Sequence, residues 1–548
     1  MNILKQFSFV YIIYIEELIL IILAIFVLYM FYLGMIKPIS FGQNAKLSIF
    51  HINDLHGQID NVSSICLASK KFDSLDNQNV DRIKLSGGDN ICGHDLKKNS
   101  MISYLLNVLG ITASSVGNHE FDGGAEALAK FNKETKTKFL SANLNIPKNN
   151  PNEHIQSSTI KEINGTKYGI IGLTTIELPT SVRHPELLGG AEIQNLEETI
   201  NSVQKEVDAM KENGVERIIL LPHMGYELDK EVARKTTGID VIVSGHSHDI
   251  IEKTVSGENY VFSKTNEPVL IVQAGDNGRY YGVCDIEFDE NGVIKKATNN
   301  LYKTENKKSP LINHLMDSTL GKSPVIANVT QTVENPKNRR IEANGWSNII
   351  VDSMTSELGT DIALINAANI RKVPALGNLT ERMVTETTPY GNKLVKTTIT
   401  EAELVEALKF ASKSITHPSG NPGLLLPSNL KFDVDKDGNL MNLKYTKGGI
   451  EQNIDIENPS DKVYSIIIDE FLFKNEEYKP LNLKYDYEIF DFDKDKTAID
   501  YIKKLTNNGE KPLEIKDDGR VRILKTSQDH SQSNSKQSFL GLTSLRNS

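Results

Sequence analysis

The chain has 548 residues, of which 39% are hydrophobic and 24% are charged. This apolar share is sufficient for two packed cores and excludes a disordered or fibrous protein. The formal charge is −10, so the surface offers no general basic face for a nucleic-acid polymer. The three cysteines, Cys66, Cys92 and Cys284, form no CxxC pair, which excludes a disulfide scaffold and a thiolate zinc cluster.

An apolar segment near the start of the chain has the length of a membrane span. Leu18 to Ile36 are nineteen consecutive uncharged residues, and as a helix they would cover roughly the 30 Å of a bilayer core. A cleavable signal peptide has a shorter apolar stretch and a small-residue exit, for which Ser40-Phe41-Gly42 is a weak match. We favour a cytoplasmic start and a transmembrane anchor over residues 1–40, with a signal peptide as the alternative. Either one predicts an extracytoplasmic location, in the periplasm or at the cell surface.

After this segment, short β-branched runs alternate with helical patterns up to about Leu301, which indicates a layered α/β domain. Asn195 to Asn213 carries apolar residues at helical spacing, and Gly214 then predicts the end of that helix. We place this first domain at residues 44–302. Its predicted strands are LSIFHI, RIKL, YGIIGL, RIILL, DVIVSG and VLIVQAG.

A polar stretch at residues 303–343 precedes a second α/β region, and we interpret it as a connector and hinge. The second region, residues 344–525, contains the helical pattern SNIIVDSMTSELG and the strand pattern DIALINA. Thr400 and Glu403 form a capping box that predicts the start of a further helix. Residues 526–548 are rich in Ser, Asn and Gln, and we predict a disordered tail.

Five segments of the first domain carry histidine, aspartate or asparagine directly after a run of strand-like residues. In an open α/β sheet, ligands bind beyond the carboxyl ends of the strands, so these segments could converge on one crevice. They are Asn53-Asp54-Leu55-His56-Gly57, Gly87-Gly88-Asp89, Val116-Gly117-Asn118-His119-Glu120-Phe121-Asp122, Pro222-His223-Met224-Gly225 and His246-Ser247-His248.

The side chains of these segments suit divalent ions of the first transition row, which prefer imidazole nitrogen and carboxylate oxygen. Seven ligands are too many for one tetrahedral ion. They fit two ions about 3.5–4 Å apart that share a carboxylate, activate a water molecule and hold a phosphoryl group. Each segment alone is more often a turn or a structural histidine, and their joint occurrence is what favours a metal site.

This arrangement resembles the calcineurin-like metallophosphoesterases, and the second half of the chain resembles the 5′-nucleotidase family. The similar motifs there are Asn366-Ala367-Ala368-Asn369-Ile370-Arg371, Thr388-Pro389-Tyr390-Gly391-Asn392 and, less closely, Trp346-Ser347-Asn348-Ile349-Ile350. The resemblance covers roughly Lys46 to Leu505. It implies an α/β/β/α metallophosphoesterase domain followed by an α/β domain that determines substrate specificity.

Carried over by position, the resemblance implies two divalent ions, zinc or manganese, with Asp89 as the bridge. It also implies that His119 is the catalytic histidine, which stabilises the phosphoryl transition state and assists the leaving oxygen, while Asp122 orients it. The implied ligands are Asp54, His56, Asp89 and His248 for one ion, and Asp89, Asn118, His223 and His246 for the other.

The resemblance further implies a nucleotide pocket in the second domain. Tyr390 would stack on the base, Arg371 and Arg339 would contact polar groups of the substrate, and Asn366 would form a hydrogen bond. The family's Gly-Gly-Asp-Gly-Phe-like loop is replaced here by Lys474-Asn475-Glu476-Glu477-Tyr478. Tyr478 could supply the second aromatic ring, but the glycines and the aspartate are missing.

Two aspartate-rich stretches are interpreted as solvated turns instead of cation sites. Asp433 to Gly438 begins like a calcium loop, but position twelve is Lys444, and the stretch fits a hairpin. Asp491, Asp493 and Asp495 lack even the central glycine.

The sequence therefore predicts a membrane-associated phosphohydrolase that releases phosphate from nucleotides by attack of a metal-activated water, with 5′-monophosphates as substrates. A 2′,3′-cyclic-nucleotide phosphodiesterase or a nucleotide-sugar hydrolase is the alternative among enzymes. The alternative outside the enzymes is a catalytically silent binding protein at the cell surface. The predicted partners are a nucleotide or other small phosphate ester and, through the first helix, a membrane, while the oligomeric state stays open.

Overall fold

The computed structural model describes most of the chain. The described residues are 21–23, 25–26, 44–75, 79–93, 95–182, 185–305, 307, 309–336, 338, 340–416, 423–474, 476–481 and 486–524. Most of the predicted anchor, Leu18 to Ile36, and the predicted tail lie outside them. Within the part of the chain that is described, no helix is long and apolar enough to cross a membrane.

The first domain contains two six-stranded sheets. One sheet has the order β14-β13-β1-β2-β3-β4, the other β11-β12-β10-β9-β7-β6, and β5 pairs with β8 alone. The strands are β1 (Ala45–Ile52), β2 (Asp81–Ser86), β3 (Ala113–Ser115), β4 (Lys138–Leu140), β5 (Leu144–Asn145), β6 (Ser158–Ile163), β7 (Thr166–Leu173), β8 (Glu192–Ile193), β9 (Arg217–Pro222), β10 (Val241–Val243), β11 (Tyr260–Phe262), β12 (Pro268–Val272), β13 (Tyr280–Phe288) and β14 (Ile294–Lys303).

Helices cover the outer face of each sheet. They are α1 (Ile59–Asp73), α2 (Leu96–Leu109), α3 (Gly124–Glu134), the short α4 (Leu178–Ser181), α5 (Leu196–Glu212) and α6 (Tyr226–Lys235). The helix predicted over Asn195 to Asn213 is α5, where Asn195 and Glu198 form a capping box.

Alternate residues of β1 explain the layers of this domain. Leu47 and Ile49 belong to the buried cluster between the sheets, together with Ile170 and Ile219. Phe50 and Ile52 point the other way and pack in the cluster that contains α1 and α2. Because strand side chains alternate between faces, one apolar run serves both cores. The order of layers is therefore helix, sheet, sheet, helix.

The second domain is also α/β. Its strands are β15 (Val325–Gln331), β16 (Ile362–Asn366), β17 (Gly377–Thr380), β18 (Lys393–Thr400), β19 (Leu425–Pro427), β20 (Leu430–Val434), β21 (Leu440–Lys447), β22 (Ile450–Asn453), β23 (Val463–Asp469), β24 (Glu488–Asp493), β25 (Pro512–Glu514) and β26 (Val521–Ile523). They form the sheets β19-β16-β23-β18-β24, β17-β15-β25 and β22-β21-β20-β26.

Five further helices complete the second domain: α8 (Gly345–Leu358), α9 (Glu381–Thr385), α10 (Glu401–Ser412), α11 (Glu470–Lys474) and α12 (Lys494–Leu505), with α7 (Pro310–Leu320) preceding them in the chain. The predicted capping box is present, because Thr400 Oγ1 accepts from the Glu403 amide while the Glu403 carboxylate accepts from Thr400. The hairpin expected around Asp433 to Gly438 is formed by β20 and β21.

The segment interpreted as a connector contributes an element to each domain. Helix α7 packs Ile312 and Met316 into the helix layer of the first domain, whereas β15 is the central strand of a sheet in the second. The expectation of solvated turns is wrong at Asp433, which is buried in β20, and at Asp495, which is buried in α12. Its carboxylate accepts a hydrogen bond from the Thr388 hydroxyl.

Candidate metal centre and active site

The five histidine- and aspartate-bearing segments follow β1, β2, β3, β9 and β10. The first three strands belong to one sheet of the first domain and the other two to the second sheet. All five loops leave carboxyl ends of strands, so they meet at one edge of the two packed sheets.

The predicted ligands form two groups around Asp89. In the first group, Asp54 Oδ1 lies 3.1 Å from His248 Nε2 and 3.6 Å from His56 Nε2. In the second, Asp89 Oδ2 lies 3.1 Å from His223 Nε2; His246 completes that group. Asp89 Oδ2 is also 4.0 Å from His56 Nδ1, so Asp89 stands between the two groups.

The backbone of these ligands is strained. A positive φ is uncommon for residues other than glycine and costs about 1 kcal/mol or more. Such conformations concentrate at functional sites, where the surrounding structure holds them in place. Five of the seven predicted ligands adopt it: Asp54 (49°), His56 (47°), Asp89 (50°), His246 (78°) and His248 (63°).

Backbone hydrogen bonds hold the first two loops in register. The Asp54 amide donates to Gly88 O at 2.9 Å, and the His56 amide donates to Asp89 O at 2.9 Å. The loops of the two sheets also approach closely at Gly87, where a Cβ atom would overlap the Ser244 carbonyl. Glycine at that position lets ligands from both sheets reach one site.

The donor set fits two divalent ions. His56 Nε2 and His248 Nε2 are 3.1 Å apart, and a cation between them would bind both nitrogens.

The Asn118 Oδ1 atom is buried, and none of the residues that the structure describes donates a hydrogen bond to it. His223 Nδ1 lies 2.7 Å from Gly87 O, which turns its Nε2 toward Asp89. The set contains nitrogen and oxygen only, so it admits zinc, manganese or related ions.

His119 lies beside both groups. Its Nδ1 is 2.7 Å from Asp122 Oδ2, and that carboxylate also accepts the Gly93 amide at 2.7 Å. The His119 amide donates to Asp89 Oδ1 at 2.9 Å. One side of the imidazole is thus fixed, and the other, Nε2, faces the second domain.

Neighbouring groups of opposite charge shift the pKa values of the buried histidines and of Asp89 in this centre. Burial lowers the pKa of His119, but the neighbouring charges, with that of Asp122 the largest, together outweigh burial and hold this pKa well above its ordinary value. Burial also lowers the pKa of His223, but the charge and hydrogen bond of Asp89, together with the charge of Asp54, raise this pKa to about 10. At Asp89, burial raises the pKa, but the imidazoles of His223 and His119 together bring it below its usual range.

Arg371 and Tyr390 of the second domain lie close to the His119 imidazole. Arg371 Nη2 is 3.1 Å from His119 Nε2, and its guanidinium lies 4.9 Å from the centre of the Tyr390 ring. The Tyr390 and His119 rings are 6.2 Å apart. The structure therefore brings these two predicted substrate contacts to His119.

Two other predicted pocket residues, Asn366 and Tyr478, have neighbours within the second domain. Asn366 is buried, and its Oδ1 accepts the Asn369 side-chain amide at 2.6 Å. The Tyr478 ring is fully buried against Phe410 at 5.4 Å, with its hydroxyl donating to Gly423 O. In this arrangement Tyr478 presents no face to a ligand, and its part in a base clamp stays a prediction. Arg339 lies outside the described residues.

Comparison with known families agrees with this architecture. Residues 47–249 match the family model of the calcineurin-like phosphoesterases, and residues 321–514 match that of the 5′-nucleotidase C-terminal domain. The chain belongs to the 5′-nucleotidase family.

Relatives within the family are similar over most of the two domains. The 5′-nucleotidase of Diplobatis ommata is 30% identical over 357 residues, 59% of this chain and 58% of that one. The trifunctional nucleotide phosphoesterase protein YfkN of Bacillus subtilis is 26% identical over 433 residues, 68% of this chain and 28% of its own length. The structure of a 5′-nucleotidase precursor from Thermus thermophilus has a TM-score of 0.71 at 22% identity and covers 88% of this chain and 100% of its own. The chain spans about half the length of the curated 5′-nucleotidases it matches.

Sequence reasoning missed Glu120, a carboxylate that organises the site of this family member. It is fully buried and accepts the amides of Asp89 at 3.0 Å, Asn90 at 2.7 Å and Gly117 at 2.8 Å. Burial and the nearby charge of Asp89 raise the pKa of Glu120 to about 7. The sequence signal for it is the motif Gly-Asn-His-Glu, in which Glu120 directly follows the histidine.

Sequence reasoning also passed over Arg340 in favour of its neighbour. Burial and the like charge of Arg371 lower the pKa of the Arg340 guanidinium, while Tyr390 and Glu177 act in the opposite direction. Arg340 therefore belongs to the same electrostatic cluster as Arg371. The sequence of the basic pair Arg339 and Arg340 gave no signal that Arg340 lies near Arg371 and Tyr390.

Proposed function

We propose that the chain is a metal-dependent phosphohydrolase that releases inorganic phosphate from nucleotides, with 5′-monophosphates as the substrate class. The observation that carries the proposal is the 3.1 Å approach of Arg371 Nη2 to His119 Nε2. Both groups are cationic donors, because the pKa of His119 is raised by Asp122. An anionic phosphoryl oxygen would accept from both, directly beside the two candidate metal groups.

Each part of the site has a role in this reaction. Two divalent ions held around Asp89 would supply an activated water and neutralise charge on the phosphoryl group. Asp122 keeps the proton on His119 Nδ1, so that Nε2 points at the substrate. His119 then gives its Nε2 proton to the ester oxygen that leaves. Arg371 and Arg340 would balance the charge of the transferred group from the other side.

The Tyr390 ring supports a nucleoside as the leaving group. Its 4.9 Å contact with Arg371 holds an aromatic face within reach of the anion-binding groups. Base stacking on an aromatic ring is worth about 1–3 kcal/mol in nucleic-acid binders, which is enough to distinguish a nucleotide from a small phosphate ester.

A substrate panel tests the proposal. The full chain, supplied with Mn²⁺ or Zn²⁺, would be given AMP, UMP, 2′,3′-cyclic AMP, UDP-glucose and an aryl phosphate, and released phosphate would be measured. We expect the highest kcat/KM for AMP or UMP, and loss of release in Asp89→Asn. No release from any substrate would overturn the enzyme proposal in favour of a binding protein.

A second candidate is a broader nucleotide phosphoesterase. It is supported by the similarity to the Bacillus subtilis protein named a trifunctional nucleotide phosphoesterase. In the same panel, turnover of 2′,3′-cyclic AMP or UDP-glucose above that of AMP would favour this second candidate.

The proposal about where the enzyme is located rests on the sequence alone. We propose that the uncharged run Leu18 to Ile36 anchors the chain to a membrane, with the phosphohydrolase on the extracytoplasmic side. Fractionation of expressing cells tests it: the full chain is expected in carbonate-washed membranes, and a variant without residues 1–40 in the supernatant. Release of the full chain by carbonate would contradict the anchor.

A further inference from the structure

Cys92 lies against the catalytic histidine and has no role in the proposed reaction. It is 5% exposed, and its Sγ lies 3.9 Å from His119 Nδ1. One ligand atom each from His56, Cys92 and His119 lie within 4.8 Å of one another. This group of three, the Cys92 group, is separate from the two groups around Asp54 and Asp89, although it shares His56 with the first.

The chemistry of the Cys92 group differs from that of the other two groups. Those contain only nitrogen and oxygen donors, whereas the Cys92 group adds sulfur, which selects soft cations over Mg²⁺ or Mn²⁺. Zinc binds sulfur at about 2.3 Å and imidazole nitrogen at about 2.0 Å, so two such ligands of one tetrahedral ion lie about 3.5 Å apart. The 3.9 Å between Cys92 Sγ and His119 Nδ1 needs only a small closure.

We propose that the Cys92 group is an inhibitory site for a thiophilic divalent cation, such as Cd²⁺ or zinc in excess. On binding, the Cys92 thiol and His119 Nδ1 each lose a proton to solvent, and the sulfur and the two imidazoles then each donate an electron pair to the cation. The binding stands on the geometry of the group, and only the inhibition rests on the proposed phosphohydrolase function.

A cation bound to the Cys92 group prevents His119 from donating its proton and His56 from binding the ion of its own group. A cation on His119 Nδ1 displaces the Asp122 carboxylate, which lies 2.7 Å away, and replaces the Nδ1 proton through which that carboxylate orients the ring. His56, drawn to the same cation, leaves the group it forms with Asp54 and His248. Phosphate release would therefore fall as the thiophilic cation rises, while Mn²⁺ alone would not inhibit.

Titration of the full chain, loaded with Mn²⁺, by CdCl₂ tests the site. Cadmium bound to a thiolate absorbs in the ultraviolet by charge transfer from sulfur, and cadmium bound to nitrogen or oxygen does not. The chain has only three cysteines, and Cys66 and Cys284 are buried in the helix and sheet cores. We expect one equivalent of the thiolate band in the wild type and in the double variant Cys66→Ser/Cys284→Ser. The band should be lost in Cys92→Ser and in Cys92→Ala.

Inhibition is measured in the same titration, with each variant normalised to its own rate without cadmium. We expect the half-inhibitory cadmium concentration to rise at least tenfold in Cys92→Ser and to stay unchanged in the double variant. Absence of the band from the wild type or from the double variant, or an equal band in Cys92→Ser, would overturn the site. A wild-type band without any phosphate release would instead overturn the proposed function and leave the cation site standing.

Discussion

At the scale of single residues, His119 is fixed from several directions. Asp122 lies at its Nδ1, Asp89 accepts its amide, and Arg371 approaches its Nε2. None of these contacts uses the histidine as a ligand of the candidate metal groups around Asp54 and Asp89. Proton transfer and metal binding are therefore separable by mutation.

We expect His119→Ala to lower kcat by about 10²–10⁴-fold, the usual contribution of a positioned proton donor. The metal content should stay at the wild-type value because Asp54, Asp89 and their histidine partners are intact. Steady-state kinetics with elemental analysis checks both. The matched variant Asp122→Asn should fall between wild type and His119→Ala, and wild-type kcat in His119→Ala would show that the role is misassigned.

A second residue-scale prediction concerns Tyr390. Tyr390→Ala should raise the KM for AMP by at least fivefold and change the KM for an aryl phosphate much less, because only the nucleotide loses base stacking. Tyr390→Phe keeps the ring and serves as the control, with KM values near those of the wild type. Equal effects of Tyr390→Ala on both substrates would count against stacking.

At the scale of elements, Glu120 ties together the loops that follow β2 and β3. Its acceptor oxygens hold the backbone on which Asp89 sits, so Glu120 acts on the metal groups through that backbone. We expect Glu120→Ala to raise the Mn²⁺ concentration needed for half-maximal activity at least tenfold. Glu120→Gln should recover part of the loss, because its amide oxygen still accepts hydrogen bonds.

A matched control for Glu120 is available in the same domain. Asp240 is also a buried carboxylate; it accepts the Ile218 amide at 2.7 Å, at the end of β10 away from the site. Asp240→Ala should lower the melting temperature, because the buried Ile218 amide loses its acceptor, without a change in the metal requirement. If Glu120→Ala behaves in the same way, Glu120 is only structural.

Helix α12 carries a carboxylate whose ionisation opposes folding. Burial, reinforced by the charge of Asp493, raises the pKa of Asp495 to about 8. The folded chain therefore keeps a proton that the unfolded chain releases above about pH 4. The stability contributed by this proton is complete below that pH and is lost as the pH rises through about 8.

We expect Asp495→Asn to remove this loss, since the amide is neutral at every pH. The melting temperature of Asp495→Asn should exceed that of the wild type by several degrees at pH 8.5 and by little at pH 4.5. Thermal unfolding at the two pH values measures the difference. Asp491→Asn, on the exposed part of β24, is the control and should show no such pH dependence, and a difference independent of pH would contradict the argument.

The elements of the first domain could be predicted from sequence because each buried strand is a short apolar run closed by glycine or a polar residue. The convergence of Asp54, Asp89 and His223 could be predicted because each residue follows the carboxyl end of a parallel strand. Helix α7 and the burial of Asp495 and Tyr478 could not be predicted, because these depend on which distant surfaces pack together. Local composition marks a residue as polar or aromatic, but only the tertiary fold decides what covers it.

At the scale of the whole molecule, hydrogen bonds among the described residues join the second domain to the first, in addition to the contact of Arg371 with His119. Gln58 Nε2 donates to Glu386 O at 2.8 Å, Asn277 Nδ2 donates to Arg371 O at 2.7 Å, and Lys98 Nζ donates to Thr385 Oγ1 at 3.4 Å. The Asn277 contact fixes the backbone of the arginine that approaches His119. The candidate active site therefore contains residues of both domains.

We expect removal of metal by a chelator to lower the melting temperature by several degrees, because ions that bind only the folded chain stabilise it by mass action. Added Mn²⁺ or Zn²⁺ should restore both the melting temperature and phosphate release. Calorimetry with and without EDTA measures the effect, and Asp89→Asn should respond much less. An unchanged melting temperature together with full activity after exhaustive chelation would exclude a metal-dependent enzyme.

The two groups of ligands also set an order of events during synthesis. Their members run from Asp54 to His248 and come from both sheets, so neither group closes until the strands β1 to β10 have been made and paired. A ribosome-bound chain that ends before His223 has no complete group for either ion. Metal loading is therefore a late step, which follows assembly of the two-sheet core, and a chain exported before folding would take its ions from the compartment in which it arrives.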